Sequence, residues 1–498
     1  MGAAASSHHA IYHPPENMGN LTIRNLTITP LELKEAERVA KSADPGHLGG
    51  TSGLAKVTAR LTGQATAPPA PTATASAQPK NAADGKQEIT GVVLQPFSES
   101  LAPIVAPHGS EQLRLTFEEP GTGHLYVAEF PGPSPQSVVM RHATADPTGK
   151  EFTVIYLPRA SYLAIFSSAH LEAWMAELPD SLPLSTLSIP GTHNSPTHYM
   201  ALPSVRCQAV AVRTQLDNGV RFLDIRVSCP DESLNDDDLA LVHSAFPISL
   251  SGSKWFHDLL AEVYAYMDAN PSETLLMSIK REGTGKGNDQ LLSKYLTRRY
   301  FAGDAARRWY TSTQIPSLGE ARGRIVLVRR FHLDDSLRDA GLGIDGSVWP
   351  DNCADGTCGS GQIRIQDFYE VGQAQEIDKK IDLARAELER AAQQACIPAG
   401  MPGSVGAESG PVPFFINFLS ASNFFNASCW PDRIAAKINP SIIEYLCTGH
   451  GAPGKGPGQL DIGDAGTGIV VIDWVGNNGD WDIVRCIVGW NARLQLKA

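Results

Sequence analysis

Two histidines, His193 and His243, each close a short apolar run, and an arginine, Arg226, lies on the run between them. Imidazoles titrate near neutral pH, so a pair of them can serve as the base and the acid of one reaction. A guanidinium offers planar, bidentate donors that suit a phosphoryl oxygen on which charge develops. Asp473 is the carboxylate best placed to hold a histidine tautomer and stabilise the imidazolium. Asp224, Lys280, Arg330, Asp367 and Tyr369 stand at the ends of further apolar runs. Two imidazoles, three cations and three carboxylates suit an anionic, polyhydroxylated ligand. A base that deprotonates an attacking oxygen, opposed by an acid that protonates a leaving one, is what cleavage of a phosphodiester needs.

These residues meet only if the chain gathers its strand ends at one place. From about residue 183, β-rich apolar runs alternate with amphipathic helical stretches, the pattern of a parallel sheet. The candidate strands are Leu184–Ile189, Arg221–Val227, Leu239–His243, Thr274–Lys280, Arg324–Arg330, Ile363–Tyr369, Phe414–Leu419 and Gly468–Trp474. Phe256, Leu259, Leu260, Val263 and Met267 recur at helical spacing, and Glu376–Gln394 reads as a long helix. The expected fold is α/β, a (βα)8 TIM-type barrel. Some crossovers are too short for a full helix, so the barrel is expected to be distorted or partly open. Catalytic groups of such barrels sit at the C-terminal strand ends. His193 follows the first strand, Asp224 and Arg226 lie on the second, and His243 closes the third. Lys280, Arg330, Asp367 with Tyr369, and Asp473 fall on the fourth, fifth, sixth and eighth.

A chain of 498 residues exceeds one ordinary core, and two domains are expected. The first 19 residues read as a flexible terminus and residues 20–168 as an accessory β-sandwich. Its short alternating runs include Asn20–Thr29, Leu113–Phe117, Leu125–Phe130, Phe152–Leu157 and Tyr162–Phe166. Residues 62–87 interrupt it with an Ala/Pro/Thr-rich stretch, TAPPAPTATASAQP, too poor in large apolar side chains to fold. The catalytic domain is expected over 169–498, with the sandwich as a scaffold or as a docking module for another protein or a membrane.

With 42% apolar and 19% charged residues the composition is globular, and no apolar run approaches the roughly 18 residues of a membrane span. A formal charge of −12 disfavours nucleic acid and generic adhesion to an anionic bilayer. A basic n-region followed by an apolar h-region is lacking, which favours a cytoplasmic location. Met1-Gly2-Ala3-Ala4-Ala5-Ser6 fits an N-myristoylation pattern, which would place the protein peripherally at membranes, or is an ordinary tail. The sequons at Asn20, Asn25 and Asn426 matter only if the chain is secreted. All eight cysteines lie at or beyond Cys207 without paired CxxC spacing, so no structural zinc site is expected. Cys353 and Cys358 could close a small disulfide loop in an oxidising compartment, but free thiols are the default.

Nine segments occur in one order: SIPGTHNS (188–195), VRFLDIRV (220–227), LVHS (241–244), NPSETLLMSIKRE (270–282), ARGRIVLVRRF (321–331), WPDN (349–352), IQDFYEV (365–371), FFINFLS (414–420) and IVVIDW (469–474). In them, residues 183–490 resemble the phosphatidylinositol-specific phospholipase C X-domain family, above all its bacterial, single-domain branch. The resemblance implies that His193, aided by Asp473, is the base on the inositol 2-hydroxyl, that His243 protonates the diacylglycerol oxygen, and that Arg226 stabilises the phosphate. It implies release of a cyclic inositol phosphate in a first, lyase-type step. It also implies that Lys280, Arg330, Asp367 and Tyr369 hold the inositol ring. The substrate partner so implied is an inositol phospholipid at a membrane surface.

No cofactor and no metal are expected. The eukaryotic branch binds calcium, and the position two residues beyond Asp224, which would have to be a carboxylate, is Arg226. Calcium also prefers six to eight oxygen ligands. Asn194 departs from the similar bacterial enzymes, which typically carry aspartate there; an amide can hydrogen-bond Arg226 or a substrate oxygen but lacks the charge that would raise the pKa of His243.

Blander roles compete at several positions. His198 and His257 read as bystanders. Lys280 and Arg330 are ligand groups or structural ion-pair partners, and Asp224 acts directly or supports its neighbours. The Gly-rich stretch 449–468 lacks a GK[ST] ending and precedes a strand, so it reads as a flexible loop. Phe424, Phe425 and Trp430 either face a lipid interface or pack on the barrel wall. Two other functions remain open: a metal-dependent glycerophosphodiesterase or sphingomyelinase D-like enzyme, and a catalytically weak phosphoinositide-binding module.

Overall fold

The computed structural model describes residues 19–39, 85–132, 137–144, 149–168, 170–231, 239–396 and 412–497. The expected flexible terminus and the Ala/Pro/Thr-rich insert lie outside the described residues, apart from residue 19 and residues 85–87.

The first 166 residues contribute β1 (Asn20–Asn25), β2 (Leu31–Val39), β3 (Gln87–Leu94), β4 (Ser98–Val105), β5 (Gln112–Glu118), β6 (Leu125–Phe130), β7 (Ser137–Val139), β8 (Arg141–His142), β9 (Thr153–Leu157) and β10 (Tyr162–Phe166). They form two five-stranded sheets, β4-β1-β10-β9-β7 and β3-β2-β5-β6-β8. Alternate residues of β5 and β6, such as Leu115, Phe117, Tyr126 and Phe130, meet Leu21, Ile23, Val154 and Ile165 in one core between the sheets. The run from Asn20 stops earlier than its alternation suggests. Asn25 accepts from the Thr27 amide at 3.0 Å and donates to the Thr29 carbonyl at 2.8 Å, which turns the chain. Strand β2 escapes a pattern reading because LELKEAERV is rich in charges and helix formers. Its outward face is matched by cross-strand pairs instead, Lys34 with Glu118 at 3.4 Å and Glu37 with Arg114 at 2.7 Å.

Strands β9 and β10 are buried on both faces. One face joins the sandwich core; on the other, Ile155, Tyr162 and Phe166 share a cluster with Trp481, Ile487 and Trp490 of the barrel. Arg24 crosses this boundary, donating to the carbonyls of Cys447 at 3.0 Å and His450 at 2.9 Å with its guanidinium 5.6 Å from the Trp490 ring.

The barrel strands are β11 (Ile189–Thr192), β12 (Phe222–Ser228), β13 (Ala240–His243), β14 (Phe246–Pro247), β15 (Leu275–Arg281), β16 (Trp309–Tyr310), β17 (Ile325–Arg330), β18 (Ile344–Asp345), β19 (Gly356–Thr357), β20 (Ile363–Gln366), β21 (Phe414–Phe418) and β22 (Ile469–Ile472). The parallel neighbours run β18-β17-β15-β12-β11-β22-β21-β20. Among the described residues no ladder joins β18 to β20, and β19 covers the β20 edge antiparallel. The architecture is therefore the distorted, partly open TIM-type barrel expected.

Two assigned strands need correction. Leu184–Thr186 is a 3-10 turn, and the first strand starts only at Ile189, after a segment whose buried Leu184 and Leu187 close the barrel floor. The third, ending at His243, is no stave: β13 pairs antiparallel with the end of β12 and turns into β14, so His243 arrives on a hairpin over the mouth. The short β18 takes the vacant place beside β17. The predicted helices are found at Phe256–Ala269 and Ile377–Ala392. No helix among the described residues is long and apolar enough to cross a membrane.

Register builds the interior in layers. Phe222, Leu276 and Val326 lie abreast on β12, β15 and β17, then Asp224, Ser278 and Val328, then Arg226, Lys280 and Arg330. The alternate residues Leu223, Ile225 and Val227 face outward onto Leu259, Leu260 and Val263 of the first long helix. Gly191 is required where β11 meets Phe222, because a Cβ there would lie 2.9 Å from the Phe222 Cβ.

Replacing Arg24 with Ala should lower stability by about 2 kcal/mol, since two buried carbonyls lose their donors. A urea titration followed by tryptophan fluorescence should show an earlier midpoint; an unchanged midpoint would refute this account of the boundary.

Candidate active site

The uppermost layer places three cations side by side. Arg226 is in register with Lys280, and Lys280 with Arg330, on strands spaced about 4.8 Å apart. Such a row repels itself unless carboxylates interleave it. Arg226 donates through Nε and Nη2 to Asp224 Oδ2 at 3.2 and 3.1 Å, and through Nη1 to Glu282 Oε1 at 2.9 Å. Lys280 Nζ reaches the same Glu282 oxygen at 2.9 Å, and Arg330 Nη1 lies 3.6 Å from Asp224 Oδ1. Burial works to raise both carboxyls, yet the cations win. Arg226 and Arg330 hold Asp224 well below the usual carboxylate range, and Arg226 and Lys280 hold Glu282 down at about 2. Arg226, buried between the two anions, is pushed above its ordinary value.

Arg330 is left less satisfied. It is buried, its guanidinium lies flat over Trp349 at 3.7 Å, and its Nε and Nη1 have no hydrogen-bond partner among the described residues. Burial lowers its pKa. Unmet N–H groups of a fixed guanidinium are prepared for a ligand oxygen. Trp349 also donates to Asp367 Oδ2 at 2.9 Å, fixing that carboxylate. Tyr369 donates to Asp351 at 2.9 Å, and its amide is held by Asn352 at 2.9 Å. Strand β20 stops at Gln366, so Asp367 and Tyr369 lie in the loop that follows it.

The two histidine rings face each other edge to face, 5.8 Å between centroids. His193 Nδ1 is 2.9 Å from Asp473 Oδ1, and burial raises the Asp473 carboxyl against the pull of that histidine. The backbone carrying His193 is clamped. Its amide donates to Ile472 O at 3.1 Å, and Gln208 Nε2 bridges the carbonyls of His193 and Ile472 at 2.7 and 2.9 Å. Asn194 takes φ +42°, a conformation asparagine tolerates, and donates its amide to Asp224 at 3.1 Å. Its side-chain Nδ2 sits 3.1 Å from His193 Nε2, so the lone pair of the candidate base is capped by an amide. Among the described residues His243 has no carboxylate partner: Nδ1 donates to Val205 O at 2.8 Å, and Cys207 Sγ lies 3.7 Å from the same nitrogen. Burial, then His193 and Arg226, depress its pKa to about 4.

His193, Arg226, His243, Lys280, Arg330, Asp367 and Tyr369 all line one cavity of about 490 Å³, with Asp224, Asn194 and Asp473 behind its wall. All ten residues singled out in the sequence are thus brought together. Glu282, Trp349 and Asp351 line the same cavity and were missed. Glu282 was findable, because it stands two residues after Lys280 on the same strand face; Trp349 and Asp351 come from a loop that no periodicity locates. A larger cleft of about 750 Å³ adjoins and shares Ser347, but its two guanidiniums are engaged, Arg329 by Leu342 O and Asp345 and Arg338 by Asp335.

His198 packs against Tyr199, and His257 sits 3.2 Å from Asp258. Neither lines the cavity. The Gly-rich stretch is a loop tied down by Glu389, which accepts from the Gly458 and Leu460 amides. Phe424 and Phe425 do not pack on the barrel wall: Phe425 is 95% exposed, and Phe424 stacks on Phe246 of the His243 hairpin. Trp430 Nε1 donates to the Phe424 carbonyl at 3.4 Å.

A family model described as the phosphatidylinositol-specific phospholipase C X domain matches residues 181–331. A 1-phosphatidylinositol phosphodiesterase of Staphylococcus aureus is 26% identical over 334 residues, 64% of this chain and 94% of that protein. One of Listeria monocytogenes is 30% identical over 184 residues, 35% of this chain and 53% of its own length. A solved structure of the S. aureus phosphatidylinositol-specific phospholipase C covers 65% of this chain and 98% of its own at a TM-score of 0.50 and 24% identity, a likeness of fold.

The electrostatics of Glu282 set an acid limit on the site. Its folded pKa, about 2 against an ordinary value of 4.5, means its stabilisation is complete above pH 4.5 and lost as pH falls toward 2. Urea unfolding at pH 7 should find Glu282→Gln less stable by up to about 3 kcal/mol. The gap should close between pH 4.5 and 2; a pH-independent gap would contradict the assigned ion pairs.

Proposed function

We propose that this chain, whose residues 181–331 match the phosphatidylinositol-specific phospholipase C X-domain model, cleaves the glycerophosphate bond of phosphatidylinositol or a related inositol phospholipid, releasing diacylglycerol and a cyclic inositol phosphate. The observation that carries this reading is the opposition of two imidazoles 5.8 Å apart above a guanidinium that is held rigidly by two carboxylates.

His193 Nε2 takes the proton of the inositol 2-hydroxyl, whose oxygen attacks phosphorus, while the Nδ1 bond to Asp473 stabilises the imidazolium that forms. The incoming hydroxyl must first displace the Asn194 amide from Nε2. Arg226 is fixed before substrate arrives, so stabilising charge on the phosphoryl oxygens requires little reorganisation. His243 gives a proton to the departing glycerol oxygen. It is neutral in the free protein, and the phosphate anion seated between it and Arg226 raises its proton affinity. Arg330, with unmet N–H groups, Lys280 and the Trp349-fixed Asp367 bind ring hydroxyls, and Tyr369 offers a face for the ring.

Metal independence rests on Arg226. Its guanidinium lies between Asp224 and Glu282, where a divalent cation would otherwise find its anionic ligands. Membrane engagement rests on the rim: Phe424 and Phe425 join Phe246 beside His243, and exposed Leu250, hydrogen-bonded to the Met200 carbonyl, extends the apolar edge. This suits insertion into a bilayer with the mouth facing the lipid. Among the described residues, none that lines the cavity comes from 20–168, which we read as an accessory domain.

Incubated with phosphatidylinositol micelles in EDTA, the protein should yield cyclic inositol phosphate by phosphorus NMR, and His193→Ala should lower the rate at least about 100-fold. Equal null signals from both would exclude this reaction. Activity abolished by EDTA would favour a metal-dependent phosphodiesterase, and binding without product would favour a silent phosphoinositide-binding module.

Phe425→Ser should weaken sedimentation with phosphatidylinositol vesicles and slow turnover on them, with little change on a monomeric, short-chain substrate. An equal loss on both substrates would remove the rim from lipid engagement.

A further inference from the structure

One of the buried thiols that the mechanism leaves unused stands against the histidine pair. Cys207 is fully buried behind the histidine pair, its backbone held on both sides, the amide by Thr197 Oγ1 at 3.1 Å and the carbonyl by the Trp474 amide at 2.7 Å. One ligand atom from each of His193, Cys207 and His243 lies within 4.8 Å of the others. Zinc bonds of about 2.3 Å to sulfur and about 2.0–2.1 Å to nitrogen place tetrahedral ligand atoms roughly 3.3–3.6 Å apart. The Cys207 Sγ to His243 Nδ1 separation is already 3.7 Å, so small side-chain shifts close the set.

The surroundings favour a cation more than the row of arginines suggests. Arg226 is compensated by Asp224 and Glu282, whereas Asp473 stands directly behind His193 at 2.9 Å. A carboxylate on the far nitrogen of a ligating histidine is the usual outer partner at zinc sites, because it orients the ring and raises its basicity. The His243 Nδ1–H and the Cys207 thiol both point at Val205 O, at 2.8 and 3.5 Å. An ion lodged between them replaces two hydrogen bonds to one carbonyl, and the cavity leaves the fourth position to water.

We propose that His193, Cys207 and His243 form an inhibitory binding site for a thiophilic d10 divalent cation, with Zn2+ as the representative. On binding, the thiol proton leaves to solvent, the sulfur bonds the metal as thiolate, and both imidazoles coordinate as neutral donors. The ion takes the His193 lone pair, so base and acid are disabled together. Hard oxygen-seeking cations such as Ca2+ and Mg2+ find one thiolate and two imidazoles and do not bind. The inhibitory consequence rests on the phospholipase reading above; the binding itself does not.

The test uses the full chain with Co2+ as a spectroscopic probe and Zn2+ as the inhibitor. One equivalent of Co2+ should produce a thiolate charge-transfer band and the visible bands of a tetrahedral centre, lost in Cys207→Ser and kept in Cys353→Ser. On phosphatidylinositol micelles, Zn2+ should inhibit, EDTA should restore the rate, and Ca2+ and Mg2+ should do neither. Relative to its own metal-free rate, Cys207→Ser should need at least about tenfold more Zn2+. Absence of the thiolate band, its survival in Cys207→Ser, or equal Zn2+ sensitivity of the two proteins would overturn the proposal. If circular dichroism shows that Cys207→Ser is unfolded, Cys207→Ala replaces it. A protein without turnover in EDTA would fail the phospholipase reading alone, since the Co2+ spectra decide the metal site independently.

Discussion

Three cations abreast on neighbouring parallel strands are the constraint around which the site is arranged. In a sheet the spacing between strands is set by backbone hydrogen bonds, so Arg226, Lys280 and Arg330 cannot move apart to relieve their repulsion. Relief comes from Asp224 one layer below and Glu282 one step above, each shared between two cations. Removing one carboxylate would leave buried positive charge without compensation, a costly state. An anionic group entering the mouth meets donors already oriented.

The histidines are built on a different principle. His193 is held by a carboxylate, by a clamped backbone and by Asn194 at the left-handed turn that ends β11. His243 comes in on a hairpin, where its Nδ1 meets a carbonyl and a thiol instead of a carboxylate. One imidazole is therefore fixed and electrostatically supported, and the other is held neutral by burial.

The sandwich contributes to neither set of contacts. It buries β9 and β10 against the helices that follow β21 and β22, with Arg24 satisfying carbonyls at the end of the longer one. Helix packing on this flank supports β22, and β22 delivers Asp473.

Much of this was legible in the residues. Apolar β-rich runs marked β12, β15 and β17, and the barrel pattern put Asp224, Arg226, Lys280 and Arg330 at their C-terminal ends. Local pattern could not reveal that the run ending at His243 is a hairpin, because antiparallel and parallel strands bury similar side chains and differ only in what they pair with. Nor could it place Trp349 under Arg330 or Cys207 beside His243, since those contacts join loops far apart in sequence. Side-chain chemistry and its alternation therefore announced which groups a phosphodiester site would contain. Strand register and loop closure alone decided which cation each carboxylate neutralises, that an amide caps His193, and that a thiol stands beside His243, because these depend on distances between segments that no local interaction sets.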